Sequence, residues 1–359
     1  MRNFLLLVLL FSVLETHSQV QVTEVVSGLA EPSASMLVGN DLYFTQSDFV
    51  NFTNGKLSRI DITDATPVIE DIFTGFVDGP GSIVINGNQL IFTEQSTIYG
   101  VDISAATPEL EIIFQFPQDG SIFAVEDIAL AGNDLYMVDS WNNIITRIDI
   151  TESDPEAVTV LDNLSGPTSM LIDGELAYIT EYDINSVSRF KINDPAPATE
   201  VISSDFFGPL SLALIGNDLY VAEFRADKIS YIDISQTSPV LVDLISGLAG
   251  PVGLDFVGNT LYFSETFNGT ISRIELAPVS VEDQSENSGL QVSPNPASSF
   301  VQISGLTASE RYSIVNSLGQ IVESGNVVNN GQINVSNLDS GFYNILFKNT
   351  QSSSTFVKH

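Results

Sequence analysis

The sequence predicts an all-β protein, and three observations support this fold class. A short stretch occurs six times, with its central leucine recurring every 41 to 48 residues, a period typical of propeller blades. Each copy places a tight turn between two apolar runs, and beyond residue 289 a different strand pattern takes over. The copies are Val38–Gln46, Asn86–Glu94, Ala131–Asp139, Ile172–Glu181, Ile215–Glu223 and Val257–Glu265. We therefore predict a six-bladed β-propeller followed by a small C-terminal β-sandwich.

Residues 1–18 have the pattern of a secretory signal peptide. A basic start, Met1-Arg-Asn, precedes the apolar run Phe4–Leu14, and the small residue Ser18 stands before Gln19. The run is too short to span a membrane, and no later segment is longer. We expect cleavage between Ser18 and Gln19, export, and no transmembrane segment.

Each repeat reads as four strands. In the fifth repeat the first strand, Leu210–Ile215, ends at Gly216-Asn217, and we expect both central residues of this hairpin to have positive φ. The second strand, Leu219–Glu223, is followed by a loop and then by a third strand, whose sequence pattern also recurs in other repeats. A Ser-Pro or Thr-Pro turn leads to the fourth strand, since proline is tolerated at a strand's first residue.

The sixth repeat stops after three strands. The segment Val22–Pro32 repeats the pattern of Val242–Pro251, which is the fourth strand of the fifth repeat and the turn that follows it. We predict that the mature N-terminus supplies the missing strand and closes the ring, which removes two free sheet edges. Trimming residues 20–27 should then open it.

Residues 20–276 resemble the six-bladed propellers of the NHL-repeat and regucalcin/gluconolactonase-like superfamily. The resemblance lies in the Gly-Pro-x-Ser segments at 166–169 and 208–211, in the Leu-Tyr-Val/Phe strand ending in Glu, and in the Ile-Ser-Arg-Ile third strand. It implies a fold without specifying a function. We assign residues 19–277 to the propeller and the polar residues 278–289 to a linker.

Residues 290–359 closely resemble the C-terminal sorting domain of the type IX secretion system. The matching features are Ser293-Pro-Asn-Pro, the Leu-Gly-Gln turn at 318–320, the Leu-Asp-Ser-Gly-Phe-Tyr block at 338–343 and Phe356-Val-Lys. The resemblance implies that this domain engages the type IX secretion machinery. It implies passage across the outer membrane to the medium or the cell surface, where such domains are usually removed.

Composition excludes several functions. The net charge of -33 arises upstream of residue 290, since three basic and three acidic residues beyond it cancel. Such acidity argues against a nucleic-acid partner. The chain has no cysteine, and its two histidines are His17 and His359. Cysteine nucleophiles, His-based acid–base catalysis and His-ligated zinc are therefore excluded from the body of the protein.

Acidic or amide side chains end all six second strands, at Gln46, Glu94, Asp139, Glu181, Glu223 and Glu265. They could ring the channel mouth and hold Ca²⁺ through oxygen ligands, or each could accept hydrogen bonds from loop N–H groups in the same way. The third repeat also breaks the Pro-x-small pattern of its neighbours with Glu126-Asp127. We predict an oxygen-only metal site at Glu94, Glu126, Asp127 and Asp139; solvated loop carboxylates are the alternative.

Aromatic residues follow several second strands. They include Trp141, the chain's single tryptophan, together with Tyr182, Phe224 and Phe267; Phe49 and Phe52 occupy the matching loop of the first repeat. Aromatics at a channel mouth could stack on a sugar or grip a peptide, or could cap the apolar layers between blades. We predict ligand contacts for Trp141, Tyr182, Phe224 and Phe267.

Two functions fit the sequence. The first is a non-catalytic extracellular or cell-surface propeller that binds an unidentified small molecule, glycan or protein. The second is a metal-dependent hydrolase, because the regucalcin-like lactonases that the chain resembles use a divalent metal held by Glu, Asn and Asp. No residue triplet here matches their ligand motifs, and Ca²⁺ would be the cofactor if there is one.

Overall fold

The structure is a computed structural model, and it describes residues 20–47, 54–64, 66–77, 79–117, 123–276, 291–295, 297–306, 309–315, 321–338, 341–347 and 352–358. The predicted signal peptide, the predicted linker, Phe49 and Phe52 lie outside these residues. Among the described residues no helix is long and apolar enough to cross a membrane.

The described residues between 20 and 276 form twenty-four strands. In chain order they are β1 (Val22–Ser27), β2 (Pro32–Val38), β3 (Asp41–Gln46), β4 (Gly55–Asp61), β5 (Glu70–Phe76), β6 (Ile83–Asn86), β7 (Gln89–Glu94), β8 (Thr97–Asp102), β9 (Leu110–Gln115), β10 (Val125–Ala131), β11 (Asp134–Asp139), β12 (Ile144–Asp149), β13 (Val158–Leu161), β14 (Pro167–Asp173), β15 (Leu176–Glu181), β16 (Ser186–Lys191), β17 (Glu200–Ser203), β18 (Pro209–Ile215), β19 (Asp218–Glu223), β20 (Lys228–Asp233), β21 (Val242–Ser246), β22 (Pro251–Val257), β23 (Thr260–Glu265) and β24 (Thr270–Glu275). Short 3₁₀ turns lie at Tyr182–Ile184 and Phe224–Ala226.

These strands form six four-stranded antiparallel sheets, which confirms the predicted propeller. Blades one to five are β2–β5, β6–β9, β10–β13, β14–β17 and β18–β21, each in chain order from its first strand to its fourth. The first strands of successive blades lie against one another, notably β10 against β14 and β14 against β18. The first strand of each blade is therefore the innermost and faces the central channel.

Ring closure occurs as predicted. The sixth sheet has the order β1-β24-β23-β22, and β1 pairs antiparallel with β24 from Val22 opposite Ile274 to Ser27 opposite Thr270. Val26 of β1 is buried in the apolar layer shared with blade one, beside Phe44 and Ile271. The chain's start thus completes its last blade.

The hairpins between first and second strands differ in one respect from our expectation. Gly216 has φ +61°, but Asn217 is not among the residues with positive φ. One positive value, at the first central position, is the pattern of a type II′ turn, whose twist also suits antiparallel strands. A Cβ on Gly216 would meet nothing within 4 Å, so backbone conformation alone requires glycine there.

In its described residues, the C-terminal unit is a β-sandwich of seven strands. They are β25 (Gln291–Ser293), β26 (Phe300–Ser304), β27 (Glu310–Val315), β28 (Ile321–Val327), β29 (Gly331–Asn334), β30 (Gly341–Phe347) and β31 (Ser352–Lys358). One sheet has the order β25-β26-β29 and the other β28-β27-β30-β31. Alternating side chains such as Val301, Ile303, Ile314 and Ile345 point inward and are fully buried, as expected of a sandwich core.

Candidate functional site

The candidate site of the propeller is its central channel. A cavity of about 1130 Å³ is lined by the innermost strands of all six blades and by the loops where those strands begin. The second strands end at the face where the first strands begin. Pro167 of β14 lies opposite Glu181 of β15, and blades one, three and five repeat this register. The described loops after the second strands therefore lie around the channel mouth, as predicted, whereas residues 48–53 of blade one lie outside the described residues.

The six residues that end the second strands share one structural role. Each side-chain oxygen accepts a hydrogen bond from a backbone N–H in the loop that enters the same blade, at 2.7–3.3 Å. The pairs are Gln46 with Ala30, Glu94 with Val77, Asp139 with Ala124, Glu181 with Ser165, Glu223 with Phe207 and Glu265 with Ala249. This confirms the loop-capping alternative: five of these bonds are partly buried, where a loop N–H group needs an acceptor, and the bond from Val77 is exposed.

A second contact ties most of these side chains to the third strand. Ser188 donates to Glu181 at 2.8 Å, Ser230 donates to Glu223, and Gln46 donates to Ser58 at 2.9 Å. Blade three lacks this contact to the third strand, because Asp139 is one methylene shorter than the Glu or Gln at the same position of the other blades. Asp139 is fully buried and instead accepts from Asn142 Nδ2 at 2.7 Å, while the buried hydroxyl of Thr146 has no hydrogen-bond partner.

This difference gives a first prediction. Asp139→Glu should let the longer side chain reach the Thr146 hydroxyl, as Glu181 reaches Ser188, and should raise the free energy of unfolding by about 1 kcal/mol. Urea unfolding of the full mature chain measures it, and the double variant Asp139→Glu/Thr146→Val serves as the control. An equal gain in the double variant would show that the hydroxyl is not the cause.

Asp127 holds three blades together. Its carboxylate accepts from the Ser82 hydroxyl of blade two at 2.5 Å, from the Ser169 hydroxyl of blade four at 2.8 Å and from the Met170 N–H at 2.8 Å. It also accepts from its neighbour's N–H, that of Ile128, at 2.9 Å. Burial raises the pKa of Asp127, and these four hydrogen bonds oppose the rise. Asp127 is therefore placed to fix the packing of the inner strands.

Glu126, in contrast, is exposed within the channel. The register of β10 against β11 shifts between Val125 and Asp127, so Glu126 is the extra residue of a β-bulge, a device that re-aims a side chain. Its Oε1 accepts from the Ser140 hydroxyl at 2.8 Å. Desolvation raises the pKa of Glu126; the Ser140 hydrogen bond opposes this, and the nearby Asp127 and Asp139 add to it.

The residue corresponding to Glu126 lines the channel in every blade. Each follows the Pro column of the repeat by one position, and together they form what we call the inner ring. Its members are Ser33, Gly81, Glu126, Thr168, Leu210 and Val252. Sequence reasoning singled out Glu126 but missed the ring, although the Pro column could have located it.

The predicted metal ligands have separate partners in the structure. Glu94 and Asp139 cap loops, Asp127 joins three blades, and Glu126 faces the channel. Within the described ranges, no three His, Cys, Asp or Glu side chains form a group that could hold a metal ion. The geometry thus adds no support for Ca²⁺ binding, which stays a prediction.

The four predicted aromatic contacts fall into two pairs. Phe224 and Phe267 line the channel, with ring centroids 5.4 Å apart, and Phe267 is 70% exposed. The Tyr182 ring is covered by the guanidinium of Arg225 at 4.1 Å. Trp141 is 63% exposed but does not line the cavity. The structure adds Phe123, which lines the channel and stacks on Phe116 at 4.2 Å.

Comparisons with known proteins bear on both domains. Residues 291–358 match the family model described as Secretion system C-terminal sorting domain. The chain is similar to an auxiliary nutrient binding protein from Bacteroides ovatus, with 12% identity, 70% of this chain and 76% of that chain covered, and a TM-score of 0.57. No curated protein matches the chain.

Two further solved structures are similar. A putative gluconolactonase has 12% identity and a TM-score of 0.55, over 72% of this chain and 92% of that one. A catalytically inactive virginiamycin B lyase from Staphylococcus aureus, with quinupristin, has 20% identity and a TM-score of 0.50, over 69% of this chain and 81% of that chain. These neighbours confirm a likeness in fold to gluconolactonase-like propellers, as predicted. At such identities the likeness establishes the fold alone.

Proposed function

We propose that this chain is an exported, non-catalytic binding propeller whose ligand surface is the mouth of the central channel. The sorting domain indicates type IX secretion and implies export to the cell surface or beyond. Cleavage after Ser18 and the final release or anchoring of the propeller are parts of the same proposal.

One observation carries the binding role. The channel combines a cavity of about 1130 Å³ with exposed aromatic rings at one mouth, and this is the form that small-molecule sites take. Phe267 and Phe207 are large apolar side chains left exposed on this face, which costs solubility unless a ligand covers them. The similar fold of a protein described as nutrient-binding is a precedent for such a role.

The hydrolase alternative receives no comparable support. Its metal would need several oxygen ligands converging on one point. Three of the predicted ligands instead accept hydrogen bonds from loop N–H groups or from neighbouring strands. A channel wall that presents the Glu126 carboxylate, hydrogen-bonded to Ser140, suits binding better than metal-assisted hydrolysis.

A thermal-shift screen of the full mature chain tests the proposal. The panel consists of mono- and disaccharides, dipeptides, amines, carboxylic acids and CaCl₂, because a ligand that binds only the folded state raises the melting temperature. We expect at least one organic class to raise it. The shift should disappear in Phe224→Ala/Phe267→Ala and persist in Val158→Ala/Val201→Ala, which truncates two exposed residues of outer strands.

The screen can also refute the proposal. If every organic hit stabilises both double variants equally, the channel mouth is not the binding surface. If CaCl₂ alone stabilises the wild type, the metal-dependent alternative replaces the binding role.

A further inference from the structure

The inner ring divides the channel wall into two chemically different parts. Ser33, Gly81, Glu126 and Thr168, from blades one to four, are small or polar, whereas Leu210 and Val252 of blades five and six are aliphatic. Blade six lies opposite blade three in a six-membered ring. Glu126 and the aliphatic Val252 therefore line opposite sides of the channel.

The mouth extends this apolar wall. Phe224 follows the second strand of blade five and Phe267 that of blade six, and both rings line the cavity. A cation close to the face of a phenyl ring is attracted by its quadrupole. The wall on blades five and six can thus contact the apolar part of a ligand, and its phenyl rings can also contact a cationic group of that ligand.

Among the described residues that line the channel, the charged ones are all acidic, and Arg225 in the mouth loop after Phe224 lies over the Tyr182 ring. The lining residues include Glu31, Glu126, Asp127 and Asp255, and no Lys, Arg or His is among them. Asp127 and Asp255 are engaged by neighbouring strands, the latter by the Leu37 N–H at 3.3 Å. Thr168 likewise donates to the Pro209 carbonyl at 3.0 Å. Glu126 is the inner ring's one charged side chain, so a cation is favoured and an anion is repelled.

We infer that the channel binds an organic cation that has an apolar or aromatic body, with the Glu126 carboxylate as its counter-ion and blades five and six as its apolar wall. This rests on the proposed function and names the ligand class of the same site. A bare divalent ion fits less well, because Ca²⁺ requires six to eight oxygen ligands and the inner ring supplies one carboxylate. An ammonium or guanidinium group needs a single carboxylate and neighbouring hydroxyls.

Isothermal titration calorimetry of the full mature chain tests the inference with three matched probes and one ion. Benzylammonium, benzyl alcohol and benzoate share a ring and differ in charge, and CaCl₂ represents the inorganic cation. We expect benzylammonium to bind at least about tenfold more tightly than benzyl alcohol, as a charge-assisted hydrogen bond allows, and benzoate not to bind. Trp141, which directly follows the hydrogen-bond partner of Glu126, supplies a fluorescence readout.

The variant Glu126→Gln should remove the preference for benzylammonium and leave benzyl alcohol unchanged. The matched control is Glu156→Gln, which removes the same charge from an exposed loop and should keep the preference. Equal binding of the three probes, preference for benzoate, tighter binding of Ca²⁺, or a preference that survives in Glu126→Gln overturns the inference.

These outcomes separate the inference from the proposed function. If a neutral saccharide or dipeptide binds in a manner that depends on Phe224 and Phe267, while benzylammonium does not bind, the ligand class is wrong and the binding role stands. If benzylammonium binds through Glu126 but independently of both phenylalanines, the counter-ion is right and the proposed mouth surface is wrong.

Discussion

A mature chain that lacks residues 20–27 is expected to lose roughly 3–6 kcal/mol of propeller stability. The deletion removes strand β1, whose five paired residues complete blade six, and takes Val26 out of the apolar layer beside Phe44 and Ile271. Since domains are stable by only about 5–15 kcal/mol, this is a large share of the total. Urea unfolding followed by circular dichroism should show a lower midpoint, and exposure of the β24 edge should promote association on size-exclusion chromatography.

Two comparisons show whether strand pairing causes this loss. Val26→Asp should reproduce most of it, whereas Thr23→Asp on the exposed face of the same strand should cost little. A synthetic peptide of residues 20–30 added to the truncated chain should restore stability by strand addition. If the truncated chain unfolds like the wild type, or if both point variants cost the same, ring closure through β1 is not what stabilises blade six.

The sequence was sufficient to predict the architecture because the relevant signals are local and repeated. Tight turns at Gly216 and its counterparts recur in each repeat, so the period and the number of blades could be read directly. Ring closure was also predictable, because the N-terminal segment repeats the pattern of a fourth strand that the sixth repeat lacks. The type of the hairpin turns could not be predicted, because a Gly-Asn pair suits both type I′ and type II′ hairpins.

The candidate site was predictable only in part. Glu126 and Asp127 stood out because they break a pattern, but their different roles depend on a bulge and on partners in other blades. Ser82 and Ser169 lie 45 and 42 residues from Asp127, which is one repeat in each direction. Contacts at that distance follow from the fold and not from any local pattern.

The aromatic residues show the same limit. In blades four and five the residue after the second strand begins a 3₁₀ turn, and Phe224 there reaches the channel. In blade three the residue directly after the second strand is Ser140, and Trp141 comes one position later and lies outside the cavity. Phe267 also comes two positions after the end of its second strand and yet lines the cavity, so loop position alone does not determine which rings reach the channel.

The second large effect is expected at Asp127. The inner edge of each innermost strand has no pairing strand, and side chains of the preceding blade accept hydrogen bonds from its N–H groups. Asp127 of blade three accepts from the Met170 N–H of blade four, and Ser211 of blade five accepts from the Leu254 N–H of blade six at 3.2 Å. Asp127→Ala removes the acceptor of two backbone N–H groups and two hydroxyls, so we expect a loss of roughly 2–4 kcal/mol in the free energy of unfolding. Ser211→Ala removes one acceptor and should cost about 1 kcal/mol.

The pH dependence of this loss identifies the carboxyl group. Folding raises the pKa of Asp127 above its ordinary value of 3.8, chiefly through burial, so the folded state binds the proton more tightly than the unfolded state. The wild type should therefore gain stability relative to Asp127→Ala as pH falls from neutral through the folded-state pKa. Both chains should carry Glu126→Gln, because the pKa of Glu126 is raised as well. A difference that shrinks on acidification would mean that the folded state favours the Asp127 anion, and one that stays constant would mean that folding leaves the pKa of Asp127 unchanged; either result contradicts the prediction.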